Sequence, residues 1–98
     1  MTPLTLHSDR DFDTLINMNF KSSDVLVSKR DRIKRHASLL KAALLDGTNQ
    51  AEVVLILEDT KSVKKLRSRI IATGNDRVML ERGLSIPVTC ITSVEFLS

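Results

Sequence analysis

With 98 residues, 42% of them hydrophobic and 28% charged, the chain is sized for one domain with a single modest core and is too apolar to be disordered. One cysteine and two histidines exclude an internal disulfide and a closed four-ligand zinc site built from those residue types. The net charge of +3 is concentrated: residues 29–69 hold eleven basic and five acidic side chains, while both flanking segments are slightly acidic, so an anionic partner would be felt in the middle of the chain.

The opening stretch, MTPLTLHSDRDF, has neither the charged start nor the apolar run of a signal peptide. No apolar run approaches the roughly 20 residues needed to span a bilayer, so a soluble, cytoplasmic protein without membrane contact is expected. Residues 1–21 read as a flexible lead-in or docking arm of the single domain 1–98. Within it, Phe12, Leu15, Ile16 and Phe20 suit either a short amphipathic helix or an arm laid on a sheet. Asp9, Asp11 and Asp13 have the spacing that opens a calcium loop. Thr14 and Phe20 stand where that loop needs its turn glycine and its bidentate glutamate, and the calcium reading is rejected.

A basic helix is expected over 28–46, with Ser28 as N-cap and Gly47 as terminator. At about 100° per residue, Ile33, Ala37, Leu40 and Leu44 fall on one stripe, which is expected to bury against a sheet. Lys29, Arg30, Arg32, Lys34 and Arg35 crowd the first two turns, where the helix dipole is positive and a cation costs about 0.3–1 kcal/mol. Asp31 offsets part of this through Arg35 four residues on. Helix stability therefore does not account for the cluster; an anion-binding surface and a solvated face that aids solubility are the two readings.

Residues 51–97 read as strands. In Glu52 to Glu58 both alternating sets are apolar, so both faces of that strand want cover. A second strand runs from about Val63 to Thr73, with Leu66, Ser68, Ile70 and Ala72 on one face and Lys65, Arg67 and Arg69 on the other. Gly74-Asn75-Asp76 suits a tight turn. Val78 and Leu80 point inward, Gly83 turns the chain, and Pro87 marks an edge strand because it cannot donate to a ladder. A single helical turn at Thr89 to Thr92 precedes a closing strand, Ser93 to Phe96. Cys90, set among apolar residues, reads as a buried, inert thiol.

A helix followed by five short antiparallel strands, with a helical turn before the last, resembles the Sm-like and SH3-like small barrels; the turn before Val78-Met79-Leu80 and the Ile86-Pro87…Ile91…Val94 ending carry the likeness. The chain from Phe20 onward also resembles a group of uncharacterised small bacterial proteins in which a Ser-Lys-Arg-Asp-Arg helix start (Ser28 to Arg32) precedes a strand-rich half. The resemblance implies an α+β fold, an N-terminal helix packed on a strongly bent five-stranded antiparallel sheet or barrel. It transfers no function. The Asp-x-x-x-Asn segment with which Sm proteins bind uridine-rich RNA is replaced here by Gly74-Asn75-Asp76, and Arg82-Gly83 occurs one strand too early.

Nothing points to catalysis. Neither His7 nor His36 has a cysteine or carboxylate companion at a useful spacing, and the three glycines are isolated, so no phosphate loop, cofactor, metal or small-molecule substrate is inferred. The expectation is a non-enzymatic binding module. The first partner is nucleic acid, RNA ahead of DNA, held by its backbone through Lys29, Arg30, Arg32, Lys34, Arg35, Lys65, Arg67 and Arg69. Lys61 and Lys64 extend the second basic group. The alternative is a protein partner or homo-oligomer formed through an exposed strand edge, with the basic face serving solubility alone.

Overall fold

The structure is a computed structural model that describes residues 6–8, 23–49, 52–60 and 63–97; the expected Phe12–Phe20 element and Lys61 lie outside them. Along the chain come β1 (Leu6–Ser8), α1 (Lys29–Asn49), β2 (Val53–Glu58), β3 (Val63–Ser68), β4 (Ile70–Thr73), β5 (Arg77–Leu80), β6 (Ser85–Pro87) and β7 (Ile91–Phe96). Single 3₁₀ turns at Glu81–Gly83 and Val88–Cys90 flank β6. The fold is α+β.

The strands form two sheets, not one barrel. One has the order β1-β3-β2-β7 and the other β4-β5-β6. Within the first, β2 pairs antiparallel with both β3 and β7, and short β1 adds parallel to the outer edge of β3. The second is an antiparallel meander. The expected strand from Val63 to Thr73 is interrupted at Arg69, which leaves the ladder between β3 and β4. This break hands the chain from one sheet to the other. Since β6 and β7 each end a sheet, the strands do not close on themselves. Leu6–Ser8, expected to belong to an irregular lead-in, is a strand; three residues are too few to show a period.

Along β2, β3 and β5 the core follows the expected pattern; Ala72, expected to face inward with Ile70, is exposed, because the β4–β5 register shifts between those two residues. Val53, Val54, Leu55 and Leu57 of central β2 are all buried, as are Val78, Leu80, Ile86 and Cys90. Each fully buried aliphatic side chain contributes on the order of 1.5–3 kcal/mol. The turn 74–76 is closed by Gly74 N–H donating to the Arg77 carbonyl at 2.9 Å. It needs no positive φ: among the described residues only Arg82 (φ 66°) and Gly83 (φ 76°) adopt that region.

The helix departs from expectation twice. It starts where predicted, with the Ser28 carbonyl accepting from Arg32 N–H at 3.1 Å and Ser28 Oγ accepting from Asp31 N–H at 3.4 Å. It then runs through Gly47 to Asn49, because Gly47 does not take the left-handed conformation that ends a helix. Gly47→Ala should therefore raise stability by roughly 0.5–1 kcal/mol, since a Cβ built there meets no heavy atom within 4 Å. A loss of stability in urea denaturation would contradict the helical placement.

The second departure concerns which side faces in. The stripe expected to be buried is exposed: Ile33 59%, Leu40 43% and Leu44 73%, with Ala37 exposed as well. The buried side is the opposite one, Arg35, Leu39, Ala42 and Asp46, packed against β4 and β7. Two charged residues can face inward because each meets an opposite charge from a distant part of the chain, which offsets the cost of leaving water.

Candidate functional site

The inner side of α1 is held by two ion-pair clusters. Arg35, 7% exposed, donates to Asp24 Oδ1 at 2.7 Å and Oδ2 at 2.6 Å, and to the Ile91 carbonyl at 3.0 Å. This fork ties the segment before the helix, the helix and β7 together. Its buried Nε has no hydrogen-bond partner. The Arg35 hydrogen bonds hold the Asp24 carboxyl below its ordinary range, against burial, which pushes it up; the Leu26 N–H and the charges of Arg35 and Arg32 add to the lowering. Asp31 does not take Arg35 as its i+4 partner, because the more buried Asp24 does.

At the other end of the helix, Arg69 donates to Asp46 Oδ1 at 2.6 Å and Oδ2 at 3.3 Å, and to Glu81 Oε2 at 3.4 Å. Its hydrogen bond to Asp46 raises the already high pKa of the guanidinium. The residue that separates β3 from β4 is thus the one that anchors α1 to the second sheet. It does not share the outer face with Lys65 and Arg67.

The eight cations expected to form one surface consequently separate. Arg35 and Arg69 are turned inward. Arg32 donates to the Leu26 carbonyl at 2.7 Å and lies 3.4 Å from Asp24. Arg67 pairs with Glu52 at 2.8 Å on the outer face of β3. Lys65 shares that face, opposite Ile56 of β2, turned away from the core side carried by Leu66 and Ser68. Lys64, on the inner side, pairs with buried Asp59 at 3.0 Å. Lys29, Arg30 and Lys34 are left, exposed on α1, with no carboxylate partner among the described residues.

Those three cations border the exposed stripe. Around the helix, Arg30, Lys34 and Lys41 lie on one flank of Ile33, Ala37, Leu40 and Leu44, while Lys29, Arg32 and His36 lie on the other. Lys41 reaches over the Phe96 ring at 4.8 Å, a cation–π contact that joins the flank to the end of β7. The outer face of α1 is therefore an apolar seam with a basic rim. The sequence places these cations on a face turned away from the stripe and assigns the stripe to the core; instead they border an exposed stripe, and Arg35 is buried.

Other chemistry is sparse. A groove of about 310 Å³ between α1 and β7 is lined by Leu26, Asp31, Lys34, Arg35 and Ser38 on one side and by Thr92 to Val94 on the other. Ser38, Thr92 and Ser93 supply its hydroxyls, and Asp31, Lys34 and Arg35 its charged groups. Cys90 is 2% exposed, its Sγ donates to the Pro87 carbonyl at 3.1 Å, and burial pushes its thiol up to about 12, so no useful fraction is thiolate near neutrality. Among the described residues, no three His, Cys, Asp or Glu side chains gather as a metal site, and no helix is long and apolar enough to cross a membrane. Compared with known proteins, the chain matches no family model, no curated protein and no solved structure.

Proposed function

We propose that this chain is a non-enzymatic, cytoplasmic binding module whose contact surface is the outer face of α1, and that its partner is a protein. The observation that carries this reading is the exposure of Ile33, Leu40 and Leu44 along one helix face, at 59%, 43% and 73%. Scattered exposed apolar residues are ordinary; a continuous helical row rimmed by cations is the usual form of a helix-mediated protein contact.

Backbone-directed nucleic-acid binding is the second reading, favoured by Lys29, Arg30 and Lys34 standing together on an exposed surface. It has less support than the protein contact, since Arg32, Arg35, Arg67 and Arg69 are engaged in ion pairs. The described residues also offer little exposed aromatic surface for stacking bases. Kinship with the Sm-like and SH3-like barrels belongs to the same proposal. It is supported by the order of elements, by the near-continuity of β3 and β4, and by the return of β7 to β2.

The test is affinity capture from a native extract, with wild-type chain and an Ile33→Glu/Leu44→Glu variant as baits. The proposal expects a protein captured by the wild type and lost with the variant, at both low and moderate salt. Capture that is unchanged by the variant, or that consists of nucleic acid and collapses steeply with salt, would overturn it.

A further inference from the structure

We propose that the partner of the outer face of α1 is an amphipathic helix of another protein, apolar along one seam and acidic along both edges of it; this rests on the reading of that face as a contact surface. Ile33, Ala37, Leu40 and Leu44 lie within about 60° of the helix circumference, while Leu39 and Ala42 are buried on the other side. An apolar strip of that width is matched to one helix, whose side chains seat between those of α1. Small Ala37, exposed between Ile33 and Leu40, leaves a hollow for a large apolar side chain.

The edges of the strip decide the partner's charge. The flanking positions are Lys34 and Lys41 on one side and Lys29, His36 and Ala43 on the other. In paired helices these positions form the ion pairs that select the partner. None of them is acidic. Among the described residues of α1 the exposed carboxylate is Asp31, about 150° around the helix from the middle of the strip, and Asp46 is buried. A basic helix, or another α1, laid along this face would set cation against cation, which selects against both. Carboxylates at the partner's edges would instead meet Lys29, Lys34 and Lys41.

Two other anionic partners match this surface less well. A nucleic-acid backbone would engage the cations but leave Ile33, Leu40 and Leu44 in water. An anionic membrane takes up a wider apolar face than this strip, and α1 cannot roll to offer one, because Arg35 and Asp46 tie its inner side to the rest of the fold.

The experiment is fluorescence anisotropy, with the full chain titrated into a labelled synthetic helix of about three heptads that carries Leu along its seam and Glu at every flanking position. A second peptide has Lys in place of each Glu. Wild type should bind the Glu peptide about tenfold or more tightly than the Lys peptide. Lys34→Glu/Lys41→Glu should erase or reverse that preference, and Ile33→Glu/Leu44→Glu should lose the Glu peptide. Should a variant fail to fold, the two peptides on wild type decide alone. No binding of the Glu peptide at several hundred micromolar chain, equal affinity for both peptides, or a preference untouched by the lysine reversals overturns the proposal. Tighter binding to phosphatidylglycerol vesicles or to a single-stranded RNA than to the Glu peptide overturns it as well. A protein captured by wild type, lost with Ile33→Glu/Leu44→Glu and kept by Lys34→Glu/Lys41→Glu, would overturn the acidic helix alone and leave the contact-surface reading standing. Glu-peptide binding that survives Ile33→Glu/Leu44→Glu would overturn both.

Discussion

Asp24→Ala is expected to destabilise the fold by roughly 3–5 kcal/mol, the loss that follows when one partner of a buried ion pair is removed. Asp24 receives both terminal nitrogens of Arg35, whose side chain is only 6% exposed. Without the carboxylate the guanidinium keeps the Ile91 carbonyl as its sole acceptor among the described residues, while its charge stays buried. Urea midpoints of wild type and variant measure the loss. Replacing both partners, Asp24→Leu with Arg35→Met, should recover most of it, because the large penalty belongs to an uncompensated charge rather than to the pair's own net worth.

The same pair sets an acid limit. The folded carboxyl titrates below its ordinary value, whereas in the unfolded chain it titrates near 3.9, roughly the reference for aspartate. Its contribution is therefore complete above the unfolded value and is lost as pH falls through the folded one. Wild-type stability should decline in that acid window, and the Leu/Met double variant should decline less. An Asp24→Ala variant within about 1 kcal/mol of wild type, the scale of an exposed pair, would show that this pair is not buried.

Leu39→Ala should cost roughly 2–5 kcal/mol, and Leu44→Ala should stay within about 0.5 kcal/mol of wild type. The two leucines lie five residues apart on opposite sides of one helix, at 0% and 73% exposure. Leu39 packs in the single core cluster with Leu55, Leu66, Ile70 and Ile91, so truncation removes contacts and leaves a cavity that a two-sided core cannot fully collapse. Leu44 loses only surface already in water. The order of the two values matters more than either size: thermal melts giving the reverse order would mean that α1 presents the other side to the sheets.

That reversed order is what hydropathy alone predicts, and the reason lies in particular residues. Ile33, Ala37, Leu40 and Leu44 are more apolar than Arg35, Leu39, Ala42 and Asp46, so a pattern of apolar spacing selects the wrong side. The decisive partners are far off in sequence: Asp24 lies 11 residues from Arg35, and Arg69 lies 23 from Asp46. Periodicity is local and does not report them. A hint was present, since Arg35 and Asp46 sit at helical spacing on one face with Leu39 and Ala42, each with an opposite charge elsewhere. By contrast Val78 and Leu80 were legible, because alternation in a half-buried strand is set by its own side chains, and β2 and Cys90 were legible because their neighbours in sequence are apolar. The break at Arg69 was not, since that residue leaves the ladder to meet an aspartate on the helix.

The basic rim shows the same limit. Counting cations located the charge but could not say which were already taken, and ion pairs claim Arg32, Arg35, Arg67 and Arg69. What remains for a partner is a helix face, apolar along its middle and positive at its edges.

Hydroxyl-radical footprinting of α1, resolved by mass spectrometry at single residues, tests that face most directly. In dilute protein Ile33, Leu40 and Leu44 should oxidise readily and Leu39 should be protected. Protection of Ile33 and Leu44 with oxidation of Leu39 would contradict the account, because the proposed contact surface would then be the core.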